Sequence, residues 1–175
     1  MADDALDQFA EKWLRLAEGR ALVVGSKIYG GRQDRRTLYS EAVGVDLEDG
    51  AGVDLVHDCE EPLPAELGTF NHIDCVSVLE HVKRPWKLAE NIDAVLNPGG
   101  TIFVCVPFVW RIHAYPSDYW RVTSQALDVL FPSIDWLSRK YASGPFLRKV
   151  VRGMKVGGQV WMQRSELVGF GRKCA

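Results

Sequence analysis

The chain has 175 residues, of which 47% are hydrophobic and 25% are charged, the composition of an ordinary globular domain. Its acidic start predicts neither a signal nor a transit peptide, and its longest apolar run, residues 101–110, is too short to span a bilayer. The four cysteines form no Cys-x-x-Cys pair, which argues against a zinc or disulfide framework and favours a reducing cytoplasm.

Charge is unevenly spread along the chain, although the net charge is only -2. Residues 1–138 hold 12 basic and 22 acidic residues, whereas residues 139–175 hold 9 basic residues and a single acid, Glu166. Two interpretations stay open. The basic end is either part of a solvated surface, or a face that binds an anion such as a phosphate, a nucleotide sugar or a nucleic acid.

Periodicity and turn residues predict alternating helices and strands. The predicted helices cover residues 3–18, 85–96 and 123–130, with a polar helix or loop over 30–41 and a partly helical basic segment over 144–158. A turn is predicted over 97–100 and an aromatic loop over 108–122. The predicted strands are residues 21–24, 42–47, 53–57, 72–78, 101–106, 134–142 and 163–172. This alternation predicts an open, mostly parallel sheet with its ligand at the carboxyl ends of the strands.

The first two strands carry the most informative pattern. The first ends at Gly25, and the second ends at Asp46, 21 residues later. A strand, a glycine turn and an acid about 20 residues further on suit a nucleoside, because backbone faces the ligand at the turn and the acid binds the ribose hydroxyls. The plain alternative for Asp46 is an acid that stabilises a turn.

Four segments in this order resemble the class I S-adenosylmethionine-dependent methyltransferase superfamily, in its small-molecule branch. The segments are the Val24-Gly25-Ser26 turn with Gly30, residues 44–46 with 57–64, residues 70–82, and residues 96–107. Residues 115–123 are also similar to a segment that is frequent in bacterial members of the family.

The resemblance implies a compact α/β, Rossmann-like three-layer sandwich whose seven-stranded sheet has six parallel strands and a reversed last strand. It implies one domain over 1–175, with an N-terminal helix (1–19), a cofactor half (21–107) and a substrate half (108–175). S-adenosylmethionine would be the cofactor and S-adenosylhomocysteine the product. The implied contacts are Gly25, Ser26, Lys27 and Gly30 with the methionine part, Asp46 and Leu47 with the ribose, Asp58 and Cys59 with the adenine, and Ser77, Val78 and Leu79 beneath the sulfonium.

The sequence also departs from the family pattern. Val23 stands where the family usually has an acid, and Lys27, Ile28 and Tyr29 interrupt the glycine loop. The fourth strand is not followed by the Asn/Asp-Pro-Pro-aromatic sequence that serves adenine-N6 or glutamine amide substrates, nor by the Pro-Cys pair of cytosine-C5 chemistry. These absences favour a small or medium acceptor, with an oxygen acceptor somewhat preferred.

Three residues are candidates for acceptor deprotonation: His113 first, then His81 and Asp118. Trp110, Tyr115, Tyr119 and Trp120 would form an aromatic wall around the acceptor. The structural alternatives are a self-packed loop fixed by an Asp118–Arg121 pair, a His81 that bonds backbone, and a Glu80 that only favours the start of the next helix. No metal site is indicated.

Three functions therefore remain from the sequence. The first is a cytoplasmic methyltransferase whose small-molecule acceptor carries an anionic group such as a phosphate, or a sugar. The second is a degenerate cofactor-binding scaffold or partner subunit, and the third is a nucleic-acid methyltransferase. For the third, the basic residues Arg148, Lys149, Arg152 and Lys155 form either a solvated helix face or an anion clamp.

Overall fold

The computed structural model describes residues 4–113, 117–143, 155–156, 159–160 and 165–175. Within these residues the helices are α1 (Asp4–Leu14), α2 (Pro85–Val95) and α3 (Ser124–Leu130), with 3-10 helices at Arg35–Leu38 and Ala65–Leu67. The strands are β1 (Arg20–Val24), β2 (Glu41–Asp46), β3 (Leu55–Val56), β4 (Phe70–Val76), β5 (Leu96–Val109), β6 (Ile134–Ser143), β7 (Lys155–Val156), β8 (Gln159–Val160) and β9 (Ser165–Lys173).

Seven of these strands form one sheet in the order β3-β2-β1-β4-β5-β9-β6. Neighbours from β3 to β5 are parallel, whereas β9 runs antiparallel to both β5 and β6. The expected sheet of six parallel strands and a reversed last strand is therefore confirmed. It places the carboxyl ends of β1, β2, β4 and β5 along one edge, where open α/β sheets bind ligands.

Helices cover both faces of the sheet and complete the predicted three layers. Leu88 of α2 and Leu127 of α3 are fully buried in the core on one face. On the other face, Trp13 of α1 stacks on Phe170 with ring centroids 5.5 Å apart. Helix α2 begins with a proline at its first position. Helix α3 begins after Thr123, whose side chain accepts the Ala126 N–H. Both helices start where the sequence predicted. The described residues hold no helix of the length and apolarity that a bilayer crossing needs.

The connection over 30–41, predicted as a polar helix or loop, is a loop with only the short 3-10 helix, because its many charged and glycine residues lack an apolar helical face. The predicted turn at 97–100 lies inside β5 as an irregularity, since Leu96 pairs with Phe70 and Thr101 pairs with His72. In the basic segment, β7 and β8 pair as antiparallel strands, while Arg148, Lys149 and Arg152 lie outside the described residues.

The short β1–β2 connection is fixed by a buried carboxylate in the middle of the sheet. Asp74 of β4 is fully buried and accepts hydrogen bonds from Arg35 Nη2 at 2.7 Å and Nε at 3.0 Å, and from the Tyr39 hydroxyl. Burial, together with the charge of Asp74, raises the pKa of Tyr39, so its phenol stays protonated and donates. The Arg35 guanidinium also lies over the Phe103 ring. One polar cluster thus replaces a helix on this part of the sheet.

We expect Asp74→Asn to lower the free energy of unfolding by about 3 kcal/mol, because Arg35 would remain partly buried without its charge partner. Chemical denaturation measures this loss. Asp128→Asn is the matched control, since Asp128 pairs with Arg139 at 2.7 Å on the surface and should cost less than about 1 kcal/mol. Equal losses in the two variants would contradict a structural role for the Asp74 cluster.

His72 should make stability depend on pH. Burial lowers the pKa of His72 to about 4, with Asp74 and Arg35 acting in opposite directions, and its Nδ1 lies 2.8 Å from Thr101 Oγ1. Below the unfolded value of 6.5 the unfolded chain binds the extra proton, so stability is retained above that pH and falls as the pH drops towards 4. We expect His72 to account for a loss of about 2 kcal/mol between pH 7 and pH 5. In His72→Gln this part of the pH dependence should disappear, and an unchanged slope would refute the assignment.

Candidate functional site

A cavity of about 1160 Å³ opens at the carboxyl ends of the central strands. Both the 21–107 half and the 108–175 half contribute to its lining, and its size can hold a nucleoside together with a second small molecule. Among the residues predicted from the sequence, those lining it are Gly25, Lys27, Gly30, Asp46, Leu47, Asp58, Cys59, Ser77, Val78, His81 and His113.

The glycine turn after β1 brings backbone to the cavity. Gly25 has a positive φ of 70°, and a Cβ built there would lie 2.5 Å from Val78 Cγ2. Its N–H donates to the Val45 carbonyl at 2.8 Å, which holds the turn against β2. Only glycine fits this position without displacing Val78, so the turn can pack closely against the segment after β4 while its backbone lines the cavity.

Asp46 ends β2 with its carboxylate fixed at the cavity wall. Its Oδ2 accepts the Lys27 N–H at 2.9 Å, and its Oδ1 accepts the Glu48 N–H at 3.1 Å. A carboxylate oxygen can accept more than one hydrogen bond, so both oxygens keep capacity for a ligand's hydroxyl groups. Lys27 Nζ lies 2.7 Å from Glu48, so that pair closes this corner of the wall.

The other predicted cofactor residues divide between cavity wall and protein interior. Asp58 Oδ1 accepts the Glu60 N–H at 2.9 Å, and Ser77 has a positive φ of 56°, unusual for a residue other than glycine. Burial raises the pKa of the Cys59 thiol to about 12, so that it stays neutral. Ser26 and Leu79 are both buried and are not among the residues that line the cavity.

A cluster of ionisable side chains, Glu80, His81 and His113, lies at the other end of the cavity. Glu80 is only 1% exposed, and neither of its carboxylate oxygens has a hydrogen-bond partner among the described residues. Burial raises the pKa of Glu80 to about 8. His81 Nε2 lies 3.5 Å from Glu80 Oε1, and the His81 and His113 rings meet edge to face with centroids 5.0 Å apart. One possible ligand atom from each of the three lies within 4.8 Å of the others.

Sequence reasoning considered Glu80 only as an acid at a helix start. The structure shows instead that α2 begins five residues later, at Pro85, and that Glu80 points its carboxyl group into the protein. The local sequence Leu79-Glu80-His81 offered one signal, an acid directly after an apolar strand. The expected backbone bond of His81 is present, since its Nδ1 contacts the Ser117 carbonyl.

Asp118 anchors the loop after β5 rather than facing the cavity. Its side chain is 1% exposed, its Oδ2 accepts Arg121 Nη2 at 2.7 Å and the His113 N–H at 2.9 Å, and its Oδ1 accepts Arg121 Nη1. The hydrogen bond from Arg121 holds the pKa of Asp118 well below its usual range. Because these bonds stabilise the ionised carboxylate, Asp118 is a poor proton acceptor, and the self-packed loop is the better description.

The same loop supplies the aromatic side of the site. Trp110 and Tyr119 line the cavity, whereas Trp120 donates from Nε1 to the Val82 carbonyl at 2.9 Å and meets Trp86 edge to face. The Tyr119 N–H donates to the Glu80 carbonyl at 2.7 Å. Tyr115 lies outside the described residues. The part of the expected aromatic wall that is described therefore lines this end of the cavity and joins it to the segment after β4 that carries Glu80.

Comparison with known proteins was made on the sequence and on the fold. A family model described as "Methyltransferase domain" matches residues 25–147. Over 113 residues the chain is 34% identical to the 25S rRNA (adenine(2142)-N(1))-methyltransferase of Saccharomyces cerevisiae, which covers 59% of this chain and 34% of that protein. Over 71 residues it is 37% identical to the ubiquinone biosynthesis O-methyltransferase of Paraburkholderia xenovorans, covering 38% of this chain and 31% of the relative.

The chain thus spans about a third of the length of the curated relatives that it matches. A solved structure of similar fold is the Burkholderia thailandensis 1,6-didemethyltoxoflavin-N1-methyltransferase, crystallised with 1,6-didemethyltoxoflavin and S-adenosylhomocysteine. It superposes with a TM-score of 0.70 at 14% identity, covering 99% of this chain and 80% of that one. At this identity the likeness describes the fold.

Proposed function

Because the chain belongs to the methyltransferase domain family, we propose that it transfers a methyl group from S-adenosylmethionine to a small-molecule acceptor bound beside Glu80, His81 and His113. The observation that carries this proposal is a single cavity whose two ends differ in chemistry. One end has the Gly25 turn and the Asp46 carboxylate, and the other has a buried cluster of ionisable groups.

The residues at the first end fit an adenosine-bearing methyl donor. Gly25 presents backbone to the cavity, and both oxygens of Asp46 are held in place by backbone N–H groups while they keep capacity for a ribose diol. Asp58 and the neutral thiol of Cys59 would lie near the adenine, and Ser77 and Val78 beneath the donor. Bound S-adenosylmethionine supplies an already activated methyl group, so the protein mainly has to align the acceptor and exclude water.

The second end is proposed to bind the acceptor and to manage its proton. An acceptor oxygen must lose a proton as it attacks the methyl carbon, and the cluster of Glu80, His81 and His113 places three proton-accepting side chains there. Trp110 and Tyr119 would hold the rest of the acceptor. Asp118 takes part indirectly, as a positioning residue that fixes the His113 backbone. An oxygen acceptor also agrees with the named activity of the Paraburkholderia relative.

Location and domain organisation belong to the same proposal. Cys59, Cys75 and Cys105 are free and buried, as in a protein of a reducing compartment, so we place the protein in the cytoplasm. We treat residues 1–175 as one domain, whose 21–107 half binds the donor and whose 108–175 half contributes to acceptor binding.

A nucleic-acid acceptor is the second candidate, because the yeast relative is named as an rRNA methyltransferase and matches more of this chain. The excess of basic residues after residue 138 agrees with it. Four of the nine basic residues in that stretch lie outside the described residues. The cavity at the strand ends, which has the size of a nucleoside and a second small molecule, supports the small-molecule proposal. A cofactor-binding subunit without turnover is the third possibility, to which Val23 and the interrupted glycine loop point.

Asp46→Ala should weaken S-adenosylhomocysteine binding at least tenfold, about 1.4 kcal/mol, because the ribose would lose its charged acceptor. Isothermal titration calorimetry measures the effect. Asp49→Ala is the matched control, since the Asp49 carboxylate accepts the adjacent Gly50 N–H on the same turn and does not line the cavity. The absence of binding heat in the unchanged protein, or equal affinities in both variants, would overturn the cofactor assignment.

Radiolabelled methyl transfer distinguishes the acceptor classes. We expect label from methyl-labelled S-adenosylmethionine to enter the low-molecular-weight fraction of a cell extract, and His113→Gln to lower the initial rate tenfold or more with little change in donor KM. Label that enters RNA only, with salt-dependent binding, would favour the second candidate. Donor binding without label in either fraction would favour a binding subunit.

A further inference from the structure

We propose that Glu80, His81 and His113 form a binding site for one divalent transition-metal ion at the acceptor end of the cavity. The sequence indicates no such site, because His113 stands 32 residues after His81 and no metal-binding spacing links the three. The fold brings them together: the segment between β4 and α2 carries Glu80 and His81, and the loop after β5 returns His113 to the same place.

The unpartnered carboxylate of Glu80 is the first observation behind this proposal. Glu80 is 1% exposed, and both of its oxygens are buried without a hydrogen-bond donor among the described residues. Buried polar groups in native proteins almost always have partners, so an exception of this kind calls for a ligand. A contact with His81 alone would not suffice, because the 3.5 Å between His81 Nε2 and Glu80 Oε1 leaves the other oxygen unpartnered.

The surroundings of the two imidazoles are the second observation. His81 Nδ1 contacts the Ser117 carbonyl, so this nitrogen carries the proton and leaves Nε2 as a lone-pair donor. His113 Nδ1 lies 3.0 Å from Asp118 Oδ2, although the angle does not suit a hydrogen bond in this structure. Metal-ligating histidines typically have a backbone carbonyl or a carboxylate beside the other ring nitrogen. Both rings here have such a group.

The ligand set indicates the class of ion. Two imidazoles and one carboxylate suit Zn²⁺, Mn²⁺, Fe²⁺ or Co²⁺, whereas Mg²⁺ and Ca²⁺ prefer sites made of oxygen ligands. Possible ligand atoms within 4.8 Å of one another can surround an ion after small rotations of the side chains. Three protein ligands leave coordination positions open, as in catalytic zinc sites. Facing the cavity, an ion there would hold an acceptor oxygen and lower its pKa, a role that rests on the proposed methyl transfer.

Cobalt titration of the chelator-treated, dialysed protein tests the site without any turnover. We expect saturable binding of one Co²⁺ per chain, with visible d–d absorption, and competition by Zn²⁺ in calorimetry. Glu80→Gln and His113→Gln should each lower the affinity tenfold or more, and Asp118→Asn should lower it by about 10- to 100-fold through His113. His57→Gln is the control, because His57 also lines the cavity but lies outside the cluster.

Circular dichroism shows whether each variant folds. If Glu80→Gln does not fold, His113→Gln still tests the site, because the His113 side chain is 32% exposed. No saturable binding in the unchanged protein, or equal affinities in His113→Gln and His57→Gln, would overturn the metal site. The two proposals can fail separately. If the unchanged protein binds S-adenosylhomocysteine but not Co²⁺, the metal site alone is refuted. If it binds Co²⁺ but not S-adenosylhomocysteine, the methyl-donor assignment alone is refuted.

Discussion

The buried ion pair between Asp74 and Arg35 is the constraint on which the cofactor end of the cavity depends. In this compact chain the connection between β1 and β2 has no full helix, so it has no large apolar face with which to hold itself to the sheet. Asp74 supplies that hold through Arg35 and Tyr39. The connection begins at the Gly25 turn and ends in the strand that leads to Asp46, so the cluster limits how far both elements can move.

Backbone hydrogen bonds then hold Gly25 and Asp46 in place at the cavity. The Gly25 N–H bonds to β2, and Asp46 receives N–H groups from Lys27 and Glu48 on either side of the cavity corner. The acceptor end uses a similar arrangement, in which the His113 backbone is fixed by Asp118. At both ends, therefore, a carboxylate that accepts backbone N–H groups holds part of the cavity lining in place.

The sequence was sufficient for features with local causes. The succession of helices and strands follows from alternating apolar segments, and the Gly25 turn and Asp46 follow from their spacing, because both depend on residues close in the chain. The reversed last strand was expected only from the family resemblance. Glu80 could not be assigned this way, because its surroundings depend on the loop after β5, whose Tyr119 N–H donates to the Glu80 carbonyl. Asp118 was expected as a candidate base, yet its carboxylate is bound by Arg121 and by the His113 backbone, contacts that only the folded loop creates. The choice between helix and loop for residues 30–41 stayed open, because the connection is stabilised by a tertiary ion pair between Arg35 and Asp74 that periodicity does not reveal.

The hydrogen bonds from Tyr119 to Glu80 and from Trp120 to Val82 join the loop after β5 to the segment after β4. These two bonds hold the two segments together. An outward movement of the loop would therefore break both bonds and expose Glu80. The opposite rim is held by bonds of its own, since the Ile28 N–H donates to the Ala51 carbonyl at 2.9 Å and Lys27 pairs with Glu48 at 2.7 Å. The two rims therefore depend on separate sets of bonds, so a displacement at one end of the cavity need not disturb the other.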